Sequence, residues 1–166
     1  MNTTIRLARK TDIPPITDIL NHEILHSTAI YDYEPRTVDY QLEWYDQKLK
    51  DQMPIIIVEG EGEVLGFGTF GIFRPKVAYR FSVEHSIYVK HTARSKGIGK
   101  LLMVELIKLA KKDGYHTMIA GIDALNKGSY EFHQKFGFKE VGRFKEVGYK
   151  FNQWLDLIFM ELLLDT

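Results

Sequence analysis

The chain has 166 residues, 45% of them hydrophobic and 27% charged, with 22 Lys plus Arg set against 22 Asp plus Glu. That length suits one domain spanning 1–166, and the composition excludes a disordered chain. A formal net charge of zero argues against a nucleic-acid coat, and the absence of cysteine excludes disulfides, thiolate zinc sites and a Cys nucleophile.

The first residues, "MNTTIRLARKTD", hold no apolar signal region, and no apolar run reaches the ~18 residues of a membrane span. A soluble cytoplasmic protein without membrane or nucleic-acid partners is expected. "TIRLAR" alternates as a short strand. Thr11 or Asp12 is expected to cap a helix reaching about His26, with Pro14 and Pro15 in its first turn. "STAIYDYEPR" reads as a loop and Thr37 to Lys50 as a second helix. "PIIIVEG" and "EVLGFGTFGIF" are β-rich runs joined by "EGEG", a hairpin signal. Phe81–Val89 is a further strand.

Lys100 to Asp113 is predicted helical, with a narrow polar stripe of Glu105, Lys108, Lys111 and Lys112 and the rest apolar and buried. Gly114 ends it. Thr117–Asp123 is a strand, Asn126 to Phe136 a short helix ended by Gly137, and "FKEVGRFKEVGYK" and "WLDLIFMELLL" are strands. The order β, α, α, β, β, β, α, β, α, β, β predicts a mixed α/β sheet with helices on both faces.

"RSKGIGKLL" lies between a predicted strand and a predicted helix. A dinucleotide fingerprint needs glycine at 102, which is Leu. A P-loop needs glycine at 94 and Ser or Thr at 101, which are Arg and Leu. What remains is R-x-x-G-x-G, formed by Arg94, Gly97 and Gly99. A helix N-terminus carries unpaired N–H groups and the positive end of the helix dipole, and Lys96 and Lys100 add charge. Taken alone, the pattern is equally a plain turn with solvated lysines. Downstream, "NKGSYEFHQKFGF" spaces Asn126, Ser129 and His133 at i, i+3 and i+7 on one helix face. Alone, that face is as readily solvated as functional.

Together, "VEHSIYVKHTARSKGIGKLL" and "NKGSYEFHQKFGF" resemble the GNAT family of N-acetyltransferases. "STAIYDYEP", "GIFRPKVAYRFSVEHSIYV" and "EVGYKFNQWLDLIFMEL" extend the resemblance to its phosphinothricin and methionine-sulfoximine acetyltransferase branch. The resemblance implies the GNAT fold: a mixed, mostly antiparallel twisted sheet of about seven strands, about four flanking helices, and two splayed parallel strands that hold acetyl-CoA. It implies backbone contacts to the pantetheine arm from Ile87, Tyr88 and Val89, the Val89 N–H being a candidate oxyanion donor. The pyrophosphate would be held by Arg94, Ser95, Lys96, Gly97, Ile98, Gly99 and Lys100, where many relatives carry Arg or Gly at the place of Ser95. Asn126 and Ser129 belong to the same donor site.

The resemblance makes Glu84 the general base; read alone, Glu84 is a surface strand residue. It places His133 where many relatives have a tyrosine acid, so that His133 would act as acid or relay; read alone, it is a surface histidine. His85 should face opposite Glu84 by strand alternation. The remaining histidines form no metal-type cluster, and no metal is expected. Arg74, Lys76, Tyr79 and Arg80 crowd "FRPKVAYRF", and guanidinium forks suit carboxylate, sulfone or phosphinate oxygens. Read alone, they form an exposed basic loop. Tyr31 or Tyr33 would add an aromatic wall, whereas Trp154 is expected to pack.

The implied activity is acetyl transfer to the α-amine of a small amino-acid-like molecule, by a homodimer. Two other readings stay open. One is transfer to a protein N-terminus, polyamine or aminoglycoside, which the basic cluster disfavours. The other is a non-catalytic acyl-CoA-binding module, which the joint presence of Glu84, Asn126 and His133 disfavours.

Overall fold

The computed structural model describes residues 2–165. Its elements are β1 (Thr3–Leu7), α1 (Ile13–His26), α2 (Val38–Lys50), β2 (Ile55–Gly60), β3 (Glu63–Ile72), β4 (Ser82–Val89), α3 (Ile98–Lys112), β5 (Thr117–Asp123), α4 (Lys127–Lys135), β6 (Lys139–Lys150) and β7 (Gln153–Leu163). The predicted order of strands and helices is reproduced. The strands form a seven-stranded, mostly antiparallel sheet in the order β1-β2-β3-β4-β5-β7-β6. The β4–β5 pair is parallel.

Two compact units are interleaved along the chain. The first comprises residues up to His22, Pro35–Gly71 and His85–Leu109; the second comprises Glu23–Glu34, Ile72–Glu84 and everything from Ala110 onward.

In the first unit β1, β2 and β3 pair antiparallel, with Ile5 opposite Val58 and Ile57 opposite Phe67. Glu61 and Gly62 make the β2–β3 turn with φ of 54° and 79°. Two successive left-handed residues match the twist of a hairpin, which explains the "EGEG" signal. Ile13, Ile16, Ile56, Ile57, Phe67, Phe70, Leu102, Met103 and Leu106 are almost fully buried and form this unit's core. Neither Thr11 nor Asp12 caps α1. Residues Lys10–Asp12 form a 3-10 turn ahead of it, and the Asp12 carboxylate accepts the Arg9 N–H (2.6 Å) and both terminal nitrogens of Arg6 (2.7 and 3.0 Å). Thr37 does cap α2, accepting the Tyr40 N–H at 3.1 Å.

The α3 helix begins at Ile98, not Lys100, and its exposed stripe differs from the predicted one. Leu101 and Val104 are 43% and 50% exposed, while Glu105 is half-buried. Positions 101, 104, 108 and 111 lie on one line of a 3.6-residue helix, so the outer face is set by geometry and only its second half is polar.

In the second unit β5 pairs with β7 over its whole length, from Thr117↔Leu163 to Asp123↔Leu157. The other side of β7 carries β6, whose ladder is interrupted after Glu140 and after Phe144. The first three residues of β4 pair with Thr117, Met118 and Ile119. Gly137, at φ 89°, follows α4 as predicted. Trp154, expected to pack, is 63% exposed and only tilts against the Tyr149 ring at 4.9 Å.

Candidate active site

The Gly-rich turn belongs to the first unit. Ala93 is 2% exposed and plugs the short 3-10 turn His91–Ala93 that follows β4. Ser95 and Gly97 then take φ of 61° and 80°. Left-handed residues on either side of Lys96 curl the chain, the kind of backbone that gathers N–H groups around an anion. A Cβ at Gly97 would meet nothing within 4 Å, so the space over the turn is open. The first helical bond runs from Leu101 N–H to Gly97 O at 3.2 Å. The N–H groups of Ile98, Gly99 and Lys100 precede it and lie in the first turn of α3, where N–H groups have no helical acceptor. Arg94, Ser95, Lys96 and Lys100 are exposed. This stretch suits a diphosphate: open backbone, a helix N-terminus and cationic side chains. Ile87, Tyr88 and Val89, half-buried at the end of β4, lead into it.

Glu84 belongs to the second unit and is the last β4 residue of the parallel ladder, opposite Ile119. Strand alternation puts Val83 and His85, both buried, on the other face, as the sequence predicts. Burial pushes the Glu84 carboxyl above its ordinary range, and the nearby charge of Arg74 opposes that rise only in part. Two residues beyond Ile119 on the same face is Gly121, whose absent Cβ would lie 3.2 Å from Glu84 Oε1. Phe159 is the β7 partner of Gly121. From there a run of edge-to-face rings extends outward: Phe159 to Phe73 (6.0 Å) and Phe73 to Tyr79 (6.0 Å), with Phe144 on the far side of Phe159 (5.8 Å). The Arg74 guanidinium lies over the Phe73 ring at 4.4 Å.

Arg74 and Tyr79 thus converge through Phe73 on the neighbourhood of Glu84. Arg80 turns onto the ring of Phe81 at 4.5 Å, and Lys76 caps the short 3-10 turn Val77–Tyr79 as an exposed residue. Sequence reasoning missed Phe73, Gly121 and Phe159. Phe159 is alternation-related to Leu157, but only the β5–β7 register puts it beside Gly121.

The predicted α4 face is a connected set. Asn126 Oδ1 accepts the Ser129 N–H at 3.0 Å and caps the helix. His133 Nδ1 donates to the Ser129 carbonyl at 2.6 Å and lies 3.4 Å from Ser129 Oγ. The imidazole is 6% exposed, edge-on to Phe132 and Phe138, and therefore not a surface histidine. Desolvation lowers its pKa, and the bond to Ser129 opposes this. With the proton on Nδ1, Nε2 carries a lone pair. The neutral ring's own proton is held on the Ser129 carbonyl.

Tyr31 has a different setting from Tyr79. Its hydroxyl donates to Asp123 Oδ2 at 2.6 Å, and its ring lies so close to Gly148 that a Cβ there would fall 2.6 Å from Cε2. Tyr33 donates to the Tyr149 carbonyl. Among the described residues no group of three or more His, Cys, Asp or Glu is arranged to hold a metal, and no helix is long and apolar enough to cross a membrane.

Residues 19–138 match the model of the acetyltransferase (GNAT) family. The L-methionine sulfoximine/L-methionine sulfone acetyltransferase of Salmonella typhimurium is 40% identical over 162 residues, 98% of this chain and 95% of that protein. An N-acetyltransferase from Staphylococcus aureus Mu50 has a structure matching at TM-score 0.98 with 49% identity, covering 99% of this chain and 100% of the other. A phosphinothricin acetyltransferase from Sinorhizobium meliloti, solved in complex with acetyl-CoA, matches at TM-score 0.95 with 34% identity, covering 99% of this chain and 89% of its own. The seven-stranded sheet is thus that of an acetyl-CoA-dependent N-acetyltransferase, and the chain belongs to the GNAT family.

Proposed function

We propose that this single-domain enzyme, spanning 1–166, transfers acetyl to the α-amine of a small amino-acid-like acceptor bearing sulfone, sulfoximine or phosphinate oxygens, with Glu84 as general base. The observation that carries the proposal is the half-buried Glu84 carboxylate, raised in pKa, beside an aromatic run topped by Arg74. The named activities of the Salmonella and Sinorhizobium relatives support the acceptor class.

When bound, acetyl-CoA supplies the thioester carbonyl that the amine attacks. The chain's own residues do the rest. Arg94 and the backbone of residues 95–100 would hold the diphosphate, and Ile87, Tyr88 and Val89 the pantetheine amides, with the Val89 N–H as the candidate oxyanion donor. Arg74, with Lys76 and Arg80 farther out, attracts the acceptor's anionic oxygens, and Tyr79 and Phe73 flank its carbon chain. An alkyl ammonium is inert until deprotonated, and Glu84, with its raised pKa, is better matched to that proton than an ordinary carboxylate. Asn126, Ser129 and His133 hold α4 in place. His133 serves as a proton relay. Tyr31 braces this unit.

A homodimer is part of the proposal. Edge strand β6 and the following turn expose Val141, Phe144, Val147, Tyr149 and Phe151. Light scattering at micromolar concentration should give twice the 19.3 kDa chain mass.

The deciding experiment is a thiol-release assay with acetyl-CoA against methionine sulfone, methionine sulfoximine, phosphinothricin, spermidine and an N-terminal peptide. Turnover of the first three is expected. Turnover of spermidine or peptide alone would replace the acceptor class, and acetyl-CoA binding without turnover of any amine would overturn the enzyme reading.

A further inference from the structure

Gly121 has no conformational reason to be glycine. Its φ lies outside the left-handed region, and it occupies the interior of β5, where glycine is weakly disfavoured because it orders much backbone and packs nothing. Nor is it excluded by a crowded core, because it is exposed. A Cβ built there would make ordinary contact, 3.7 Å each, with Leu157 Cδ1 and Phe159 Cε1. The one tight neighbour is Glu84 Oε1 at 3.2 Å. Alanine would therefore suit the backbone and pack normally on two sides. On the third it would press a methyl against a carboxylate already desolvated.

We infer that Gly121 is a specificity-determining and positioning residue: its missing side chain leaves the space through which an amine on a branched carbon reaches the Glu84 carboxylate. The inference rests on Glu84 being the base. In the step concerned, an N–H bond of the acceptor ammonium breaks and an O–H bond forms at Glu84. The electron pair stays on nitrogen, where it becomes the nucleophile. The proton must pass over about the length of a hydrogen bond, so the amine has to sit against Oε1. Leu157 Cδ1 and Phe159 Cε1 flank the place of the missing Cβ, so the gap beside Glu84 Oε1 is bounded on those two sides and opens at the exposed glycine. An amine on a CH2 group can approach end-on. An amine on a carbon that also bears a carboxylate is wider there and needs the gap.

The test is Gly121→Ala, assayed with methionine sulfone and with its decarboxylated analogue, 3-(methylsulfonyl)propylamine. For methionine sulfone, kcat/KM should fall by about tenfold to a hundredfold, the loss expected from a misplacement of under an ångström at the reacting centre. The ratio of analogue to methionine sulfone should rise, and the acidic limb of the kcat/KM profile should move to higher pH, since the methyl desolvates the carboxylate further. Thermal stability and acetyl-CoA binding should stay at wild-type levels or above. Glu84→Asp withdraws the carboxylate from the methyl, so its penalty should be smaller in the Gly121→Ala background than in the wild type.

Equal losses on both acceptors, or an additive double mutant, would overturn the inference. So would a variant without a folding transition, because the glycine would then be a packing requirement. If Glu84→Gln is inactive while Gly121→Ala is wild type, only this inference fails. If Glu84→Gln keeps full activity, the base assignment itself fails.

Discussion

Residues 27–34 and 73–81 both belong to the second unit, and both carry side chains that the sequence assigns to acceptor binding, yet they are held in opposite ways. The first is tied to distant strands by polar bonds. Lys150, 3% exposed, donates to the carbonyls of Ser27 (2.8 Å) and Ile30 (2.6 Å), Tyr31 donates to Asp123, and Tyr33 to Tyr149. The second is held mostly within itself: Phe73 N–H to Ser82 O, Tyr79 N–H to Lys76 O, Arg80 N–H to Val77 O, and cations laid over adjacent rings, with only its ends reaching out, Phe81 O accepting from the His116 and Thr117 N–H groups and Phe73 edge-on to Phe159. Its tip is open, with Val77 76% exposed. A buried ammonium that joins two carbonyls costs too much to break for the first segment to adjust to a ligand. Stacked guanidinium groups on an exposed turn can swing at little cost. The first segment is therefore a fixed brace, and on the proposed function the second is where acceptors would be told apart.

The largest effect should come from Glu84, just beyond the open segment. Glu84→Gln should lower kcat by about 10²–10⁴, the usual worth of a general base. The wild-type kcat/KM should rise with pH through a limb above the ordinary carboxylate range. Stability should respond in the opposite sense. Because burial lifts this pKa, the folded chain holds the proton more tightly than the unfolded one, so the ionised carboxylate destabilises the fold increasingly as pH rises through the window between the two values. Glu84→Gln should thus melt no lower than the wild type at pH 7, and the gap should close in acid. A variant losing both activity and stability would mark Glu84 as structural.

Next in size is Lys150→Met, which fits the volume but leaves one buried and one part-buried carbonyl without their donor. Urea titration should show a loss of about 2–3 kcal/mol. A loss under half a kcal/mol would remove the contrast between the two segments. Arg74→Ala should raise the KM for methionine sulfone about tenfold with kcat little changed, the signature of binding shared by ground and transition states. Arg80→Ala, its guanidinium turned onto Phe81, should do less. If Arg80 proves the stronger, the assignment within the open segment is reversed. Smallest is Tyr31→Phe, which removes one hydroxyl bond to Asp123 and should cost about 1 kcal/mol without altering acceptor preference. A changed preference would move Tyr31 from brace to binding wall.

What was legible in the sequence was local. Alternation, caps and glycine stops located all seven strands and four helices, because each signal lies within a few residues of what it controls. The start of α3 was misplaced by two residues, since Gly97 at positive φ ends the turn and Gly99 is already helical. The candidate base was reached by resemblance, and its face by alternation. Its setting was not reached, because Gly121 and Phe159 lie 37 and 75 positions away and only the β4–β5 and β5–β7 registers bring them to Glu84. For Tyr31 the aromatic residue was noticed and its bond to Asp123 was not. Nothing near position 31 announces that a glycine at 148 and a carboxylate at 123 await it.

The β5-β7-β6 ladder sets the order in which the molecule can be made. The strand lying between the other two is the last of the three in the chain, so β5 can meet β4 early, but β6 has no strand partner, and β5 lacks its second one, until β7 has been synthesised and inserted between them. Phe159, the β7 partner of Gly121, arrives with that insertion. A nascent chain halted before β7 would carry Glu84 and Gly121 but not Phe159, so the surroundings of Glu84 within the second unit are completed by the closing event of folding and not by any earlier one.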